Sequence, residues 1–234
     1  MTKIIFPHLE LGDNIICNGL IRNLVSPSED YILITKPQVK DSIFFMYRDL
    51  INVQHWLGWY PEAVRMIKGL RIPRENLLLI GDAGQGDVPT GLKFDAWFYW
   101  QHNLSFLHSF EDFYVPRDLA RELSLAGRLV GTSDRYILIH DDERFKINRE
   151  YVEIRAGIKV ISISPSETKN AFDWCTLIEN AEEIHFIESS MMFLAERLLY
   201  GRVTRPRLIL HRYARKYPAS NSPTLLNDWT ILND

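Results

Sequence analysis

Three short stretches of this chain collect residues that can move a proton or hold an anion. The first is His8-Leu9-Glu10-Leu11-Gly12-Asp13-Asn14, directly after the apolar run Lys3-Ile4-Ile5-Phe6-Pro7. A carboxylate at a strand end, beside a helix N-terminus, can take a proton from an attacking hydroxyl. Asp13 fits that description, and His8 and Glu10 add two more proton-transfer groups to the loop. The competing reading of Asp13 is a helix cap that accepts from orphan amides. The second stretch runs from Tyr136 through Ile139 to His140-Asp141-Asp142-Glu143-Arg144. An apolar strand here delivers a His, carboxylates and an Arg to its carboxyl end. The planar guanidinium of Arg144 suits a phosphate; alternatively it pairs with Asp141 or Asp142 in a solvated acidic loop. A metal on the two Asp residues would need further ligands that the spacing does not place. The third stretch is Glu188-Ser189-Ser190-Met191-Met192, after Ile184-His185-Phe186-Ile187. One serine is enough to cap a helix. Two hydroxyls with the exposed amides form an anion site suited to a diphosphate, and Glu188 is placed to hold ribose hydroxyls.

Two further stretches carry weaker signals. Gly81-Asp82-Ala83-Gly84-Gln85-Gly86 follows an apolar run but has no Lys-Ser/Thr pair, and Pro89 interrupts any helix after it. It is neither a phosphate-binding loop of the Walker type nor a dinucleotide fingerprint, and reads as a flexible loop. The cluster Phe94, Trp97, Phe98, Tyr99 and Trp100 reads first as core. Trp and Tyr also stack on sugar rings, and Gln101 and His102 adjoin them.

The elements that must position these residues alternate along the chain. Strands are expected at 3–7, 31–35, 51–56 and 76–80, with helices at 13–25, 39–46 and 60–68 between them. Ile15, Ile16, Gly19, Leu20, Asn23 and Leu24 share one helical stripe, and Gly19 permits close approach of a neighbour. An amphipathic helix over 116–128 leads to a second block. Its strands are expected at 136–140, 159–164, 183–187 and 207–211, with helices at 170–179 and 189–199. The tail from Arg215 reads as irregular. Strand–helix alternation predicts parallel sheets with crossover helices, whose ligands gather outside the carboxyl ends of the strands. The expected organisation is α/β, with two Rossmann-like parallel-sheet halves at 1–128 and 129–234.

Bulk properties set the remaining bounds. The chain has 234 residues, a net charge of -3 and a hydrophobic share of 46%, so it can bury a sizeable core and offers no polybasic footprint for nucleic acid. Cys17 and Cys175 both fall in apolar-periodic segments and are expected to be buried thiols in a reducing compartment. No stretch approaches the ~18 apolar residues of a membrane span. The expected setting is cytoplasmic, or at most membrane-peripheral.

In this order, the segments resemble bacterial glycosyltransferases of the GT-B type, the heptosyltransferase-like group above all. That group opens with a strand, a loop holding Gly-Asp and a helix, as at Gly12-Asp13. Its later pattern is a strand ending in Asp, then Thr or Ser, Gly, two variable positions and His-Leu-Ala. Here it reads Glu188-Ser189-Ser190-Met191-Met192-Phe193-Leu194-Ala195, with Ser190 in place of Gly and Phe193 in place of His. The chain also resembles glycosyltransferase-like proteins with His-Leu-x-Leu-Gly-Asp near the start and Ile-His-Asp-Asp in the middle.

The resemblance implies a compact GT-B-like fold and transfer of a sugar from a nucleotide-sugar donor to a glycan or lipid-linked acceptor. It implies no metal and no cofactor beyond the nucleotide-sugar co-substrate. Asp13, assisted by His8, would be the base. His140, Arg144, Glu188, Ser189 and Ser190 would hold the donor, and Glu10, Asn14, Trp100 and His102 the acceptor. Two alternatives stand beside it. One is a non-catalytic sugar- or nucleotide-binding protein of the same fold. The other is a metal-dependent phosphate-ester hydrolase built on Asp141 and Asp142.

Overall fold

The computed structural model describes residues 2–7, 10–69, 71–81, 88–131, 135–215 and 222–233. Contacts divide the chain into two units, Met1–Pro116 with Ala219–Thr224, and Arg117–Pro218 with Leu225–Asp234. The boundary expected from sequence is 128/129. The division falls earlier because the helix after Pro116 is tied to the second unit. Arg117 donates to Glu122 and Glu179, and Glu122 accepts from Thr176.

The first unit runs β1 (Lys3–Phe6), α1 (Leu11–Ile16), α2 (Asn18–Leu24), β2 (Tyr31–Thr35), α3 (Lys40–Met46), β3 (Val53–Leu57), α4 (Tyr60–Gly69), β4 (Leu77–Leu79), α5 (Phe94–Trp100) and α6 (His108–Glu111). Its strands form a parallel sheet in the order β3-β2-β1-β4. Ile4, Ile5, Phe6, Leu33 and Ile34 are buried in it, as the near-continuous apolar strands of a sheet covered on both faces should be.

The helix expected over 13–25 is interrupted at Cys17. In an unbroken helix, Leu20 N–H would bond the Ile16 carbonyl. Instead the Tyr99 hydroxyl donates to Ile16 O at 2.8 Å and accepts from Leu20 N–H at 3.0 Å. Ser109 Oγ donates to the same carbonyl at 2.8 Å. A side chain inserted into the ladder is a standard cause of a helix break. Phe94–Trp100, unassigned from sequence, is a helix in which Asp95, Trp97, Phe98 and Tyr99 are buried. Gly19 is required by close approach, since a Cβ there would lie 1.9 Å from the His108 carbonyl oxygen.

The second unit runs α7 (Leu119–Val130), β5 (Tyr136–His140), β6 (Lys159–Ser162), α8 (Cys175–Asn180), β7 (Glu183–Phe186), α9 (Ser190–Leu198), β8 (Arg207–His211) and β9 (Trp229–Leu232). All five strands are parallel, in the order β6-β5-β7-β8-β9. β9 corrects the expectation of an irregular tail. It is a short, partly exposed edge strand, and its approach is fixed by a buried carboxylate. Glu196 accepts from the backbone N–H of Leu226, from that of Asn227 at 3.0 Å, and from the indole Nε1–H of Trp229 at 2.5 Å. In the first unit, Asp95 takes the Thr224 N–H at 2.6 Å and its hydroxyl at 3.2 Å. Cys17 and Cys175 are buried, and burial pushes the Cys175 thiol far up. No helix among the described residues is long and apolar enough to cross a membrane.

Candidate functional site

Each sheet reverses its winding direction at one place, between β1 and β4 in the first unit and between β5 and β7 in the second. Outside the carboxyl ends of such strand pairs an open sheet binds its ligands. The predicted residues gather at these two places.

In the first unit the chain leaves β1 and enters α1 two residues earlier than expected. Glu10 is the N-cap residue, with no side-chain capping bond, and Asp13 is the third residue of the helix. Asp13 is therefore not the N-cap residue. A carboxylate in a first turn is instead favoured by the amides left open there. The Glu10 carboxylate pairs with Lys36 Nζ, which lies 5.3 Å from the Trp59 ring centroid. Asn14 is buried and its Nδ2 donates to the Glu10 carbonyl at 2.8 Å, so it shapes the loop. His102 donates from Nε2 to the Leu79 carbonyl at 3.1 Å, and burial lowers its pKa. Gln101 takes the Gly81 N–H at 2.8 Å, where φ is +70°. These two side chains finish the end of β4, while Trp100 beside them is 58% exposed. His8 and the glycine loop at 82–86 lie outside the described residues.

In the second unit β5 ends at His140 and β7 leads to Ser189. The two meet, with Ser189 Oγ 2.9 Å from His140 Nδ1. Ser189 is also the N-cap of α9, accepting from Met192 N–H at 3.5 Å, and Ser190 opens the helix. Burial pushes the His140 pKa down to about 4, against the pull of Asp141 and Asp142, so the ring is neutral at pH 7.

The loop after β5 is shaped by its own carboxylates. Asp142 Oδ1 accepts from Arg144 N–H at 2.8 Å and Phe145 N–H at 2.9 Å. Asp141 accepts from Ile147 N–H at 3.2 Å and from Arg149 at 3.3 Å, and faces Lys146 at 3.6 Å. Asp142 Oδ1 and the Asp141 carboxylate thus help to close the loop. Among the described residues no group of three or more His, Cys, Asp or Glu could hold a metal ion. The ion pair of Arg144 with Asp141 or Asp142 is not formed. Its guanidinium lies 5.4 Å from the Phe145 ring centroid.

Arg212 and Arg215, in the turn after β8, were not singled out from sequence. Arg212 Nε donates to Glu188 Oε1 at 2.9 Å and Arg215 Nη1 to the Glu188 carbonyl at 2.8 Å. Arg215 also lies 5.1 Å from the Phe145 centroid, on the same ring as Arg144. Glu188, 3% exposed, thus organises arginines. The signal was present: Arg212-Tyr213-Ala214-Arg215 follows a strand ending at His211, and the strand-end rule applies there as it does to His140.

Two all-parallel sheets, each with one winding reversal, are matched by solved structures. One is ADP-heptose LPS heptosyltransferase II from E. coli, with a TM-score of 0.61 and 11% identity over 99% of this chain and 90% of that one. The chain has a GT-B fold. A glycosyl transferase family 9 structure from Veillonella parvula matches at a TM-score of 0.57 and 7% identity, over 89% of this chain and 79% of that one. No family model matches the sequence, and no curated protein matches it. At these identities the likeness to GT-B proteins is one of fold. In this fold the His140–Ser189 contact sits at the reversal of the second sheet, and Glu10, Asp13 and Asn14 sit at that of the first.

Proposed function

We propose that the protein is a GT-B-type glycosyltransferase that moves a sugar from a nucleotide-sugar donor, held by the second unit, to a hydroxyl of a glycan or lipid-linked acceptor. The observation that carries this reading is the grouping at the reversal of the second sheet. Ser189, Ser190 and the open amides of α9 stand with neutral His140, and Arg144 and Arg215 share Phe145 in the adjoining loop. Amides at a helix start and guanidinium forks are the groups that stabilise a departing diphosphate without a metal. When the Ser189 hydroxyl donates to His140 Nδ1, Nε2 carries the ring hydrogen and is a further donor for the leaving group. Asp13 takes the proton of the acceptor hydroxyl as the sugar carbon–oxygen bond to phosphate breaks. The solved neighbour that handles ADP-heptose supports a nucleoside diphosphate sugar as the donor class.

A thermal-shift panel of nucleoside diphosphates and nucleotide sugars, with and without EDTA, tests the reading. Ligands of the native state raise the melting temperature by mass action. A nucleoside diphosphate that stabilises the protein equally in EDTA supports it, and stabilisation by no nucleotide overturns it. Phe193, in place of the His of the heptosyltransferase-like pattern, favours a second reading, a binding protein that retains the site without transfer. Donor turnover in the presence of acceptor separates the two.

A further inference from the structure

The second sheet contains a series of hydrogen bonds that the proposed donor chemistry does not use. Arg207 Nη1 donates to Glu183 Oε2 at 2.9 Å. Glu183 Oε1 meets His185 Nε2 at 2.5 Å, and His185 Nδ1 meets His211 Nε2 at 2.8 Å. His211 Nδ1 meets the Tyr213 hydroxyl at 3.0 Å, and the Tyr213 oxygen accepts Asn148 N–H at 2.8 Å. Glu183, His185 and His211 are buried, with exposures of 3%, 1% and 0%.

The ends of the series fix its protons. A carboxylate paired with Arg207 only accepts, so His185 carries its hydrogen on Nε2. Its bare Nδ1 then requires a donor, which places the His211 hydrogen on Nε2 as well. The bare His211 Nδ1 takes the phenolic proton of Tyr213, whose lone pair receives Asn148 N–H. Every group is satisfied with both imidazoles neutral. One more proton on the pair turns the His211–Tyr213 bond round: the Tyr213 oxygen must then accept from His211 Nδ1–H as well as from Asn148 N–H, and the phenolic hydrogen loses its acceptor, which is costly.

The series joins two loops. Asn148 follows Arg144 and Phe145 in the loop after β5, while Tyr213 lies between Arg212 and Arg215 in the turn after β8. We propose that Glu183, His185, His211 and Tyr213 form a positioning relay that fastens loop 141–152 to turn 212–215, and that uptake of one proton by the imidazole pair releases the loop. The proposal rests on the donor reading of these strand ends. The charged and titratable groups around the pair are Glu183 and Arg207 on the strands, Asp141, Arg149 and Tyr151 after β5, and Tyr213 after β8. Burial lowers both imidazole pKa values, that of His211 to about 4, while Glu183 opposes the shift at His185. An unfolded His titrates near ~6.5. The relay is therefore intact above that pH and is lost as pH falls toward about 4.

Amide hydrogen exchange of the whole protein without nucleotide, corrected for the intrinsic effect of pH, tests the relay. Tyr213→Phe should speed exchange in 141–152 about tenfold at pH 7.5, the worth of one hydrogen bond, and leave α9 unchanged. Wild type should show the same acceleration between pH 6.5 and 4. Nitrogen-15 NMR should find both rings in the Nε2–H form at pH 7.5. An Nδ1–H tautomer on either ring, or unchanged exchange in Tyr213→Phe, overturns the proposal. Titration with ADP runs in parallel. Wild type that ignores ADP while its exchange follows the expected pattern keeps the proton-gated loop and removes only the donor reading. Equal ADP affinity in wild type and Tyr213→Phe, with the loop loosened, removes the positioning role.

Discussion

At the scale of single residues, Asp13 and Arg144 carry the sharpest tests. Asp13 sits inside the first turn of α1, where its charge is worth about 0.3–1 kcal/mol to the helix. Asp13→Asn removes that and the basicity but keeps the shape. Turnover should fall about a hundredfold or more, with nucleotide binding retained and a small loss of melting temperature. Wild-type transfer by the Asn variant would leave Asp13 as a helix residue only and direct attention to Glu10 and His8. Arg144 packs on Phe145 and forms no ion pair with its neighbouring carboxylates. Arg144→Ala should therefore weaken nucleoside diphosphate binding by about 1.5–3 kcal/mol, the worth of hydrogen bonds to a charged group. Isothermal titration reads this directly, and unchanged affinity removes Arg144 from the site.

At the scale of elements, the first helical segment shows how tertiary structure overrides a local pattern. Its apolar stripe was legible, since Ile15, Ile16 and Leu20 are all fully buried. The break at Cys17 was not, because its cause is a tyrosine about eighty residues away in a segment whose aromatics gave no clear period. Tyr99→Phe leaves the buried Leu20 N–H without its partner, while the Ile16 carbonyl keeps Ser109 Oγ, and should cost about 1–3 kcal/mol. Urea denaturation measures it, and an unchanged midpoint would mean that the break has another cause. The strands 31–35, 136–140 and 207–211 were readable residue for residue, because apolar runs in a fully covered parallel sheet have sharp polar ends. β9 escaped because an edge strand of four partly exposed residues has no such contrast. The site divides in the same way. His140 and Ser189 were visible as strand-end residues, whereas the pairing of Arg144 and Arg215 on one ring joins loops seventy residues apart.

At the scale of the whole molecule, buried neutral histidines tie stability to pH. Burial pushes His55, His140 and His211 down to about 4, while an unfolded His stands near ~6.5. Native pKa values below unfolded ones mean that the stabilisation is complete above about 6.5 and is lost as pH falls through that window toward 4. Urea midpoints should decline steadily from pH 7 to pH 5. A flat profile would show that these rings are protonated in the native state or solvated. The chain should also resist dissection at its unit boundary. A fragment ending at Pro116 leaves the buried Asp95 without its Thr224 partners. It should therefore be less stable than the same fragment supplied with a peptide covering 219–224, as circular dichroism melts would show.

The position of β9 in the sheet has a consequence for synthesis. β8 is completed at His211, but its neighbour on one side begins at Trp229, after the segment assigned to the first unit. While the chain emerges from the ribosome, β8 therefore presents an open row of amides and carbonyls to whatever is nearby, a template for pairing with a second nascent copy. In the finished fold Glu196 in α9 accepts from the backbone that leads to β9. Slow codons between 212 and 228 would lengthen that interval, and a crowded polysome would be the place where this fold goes astray.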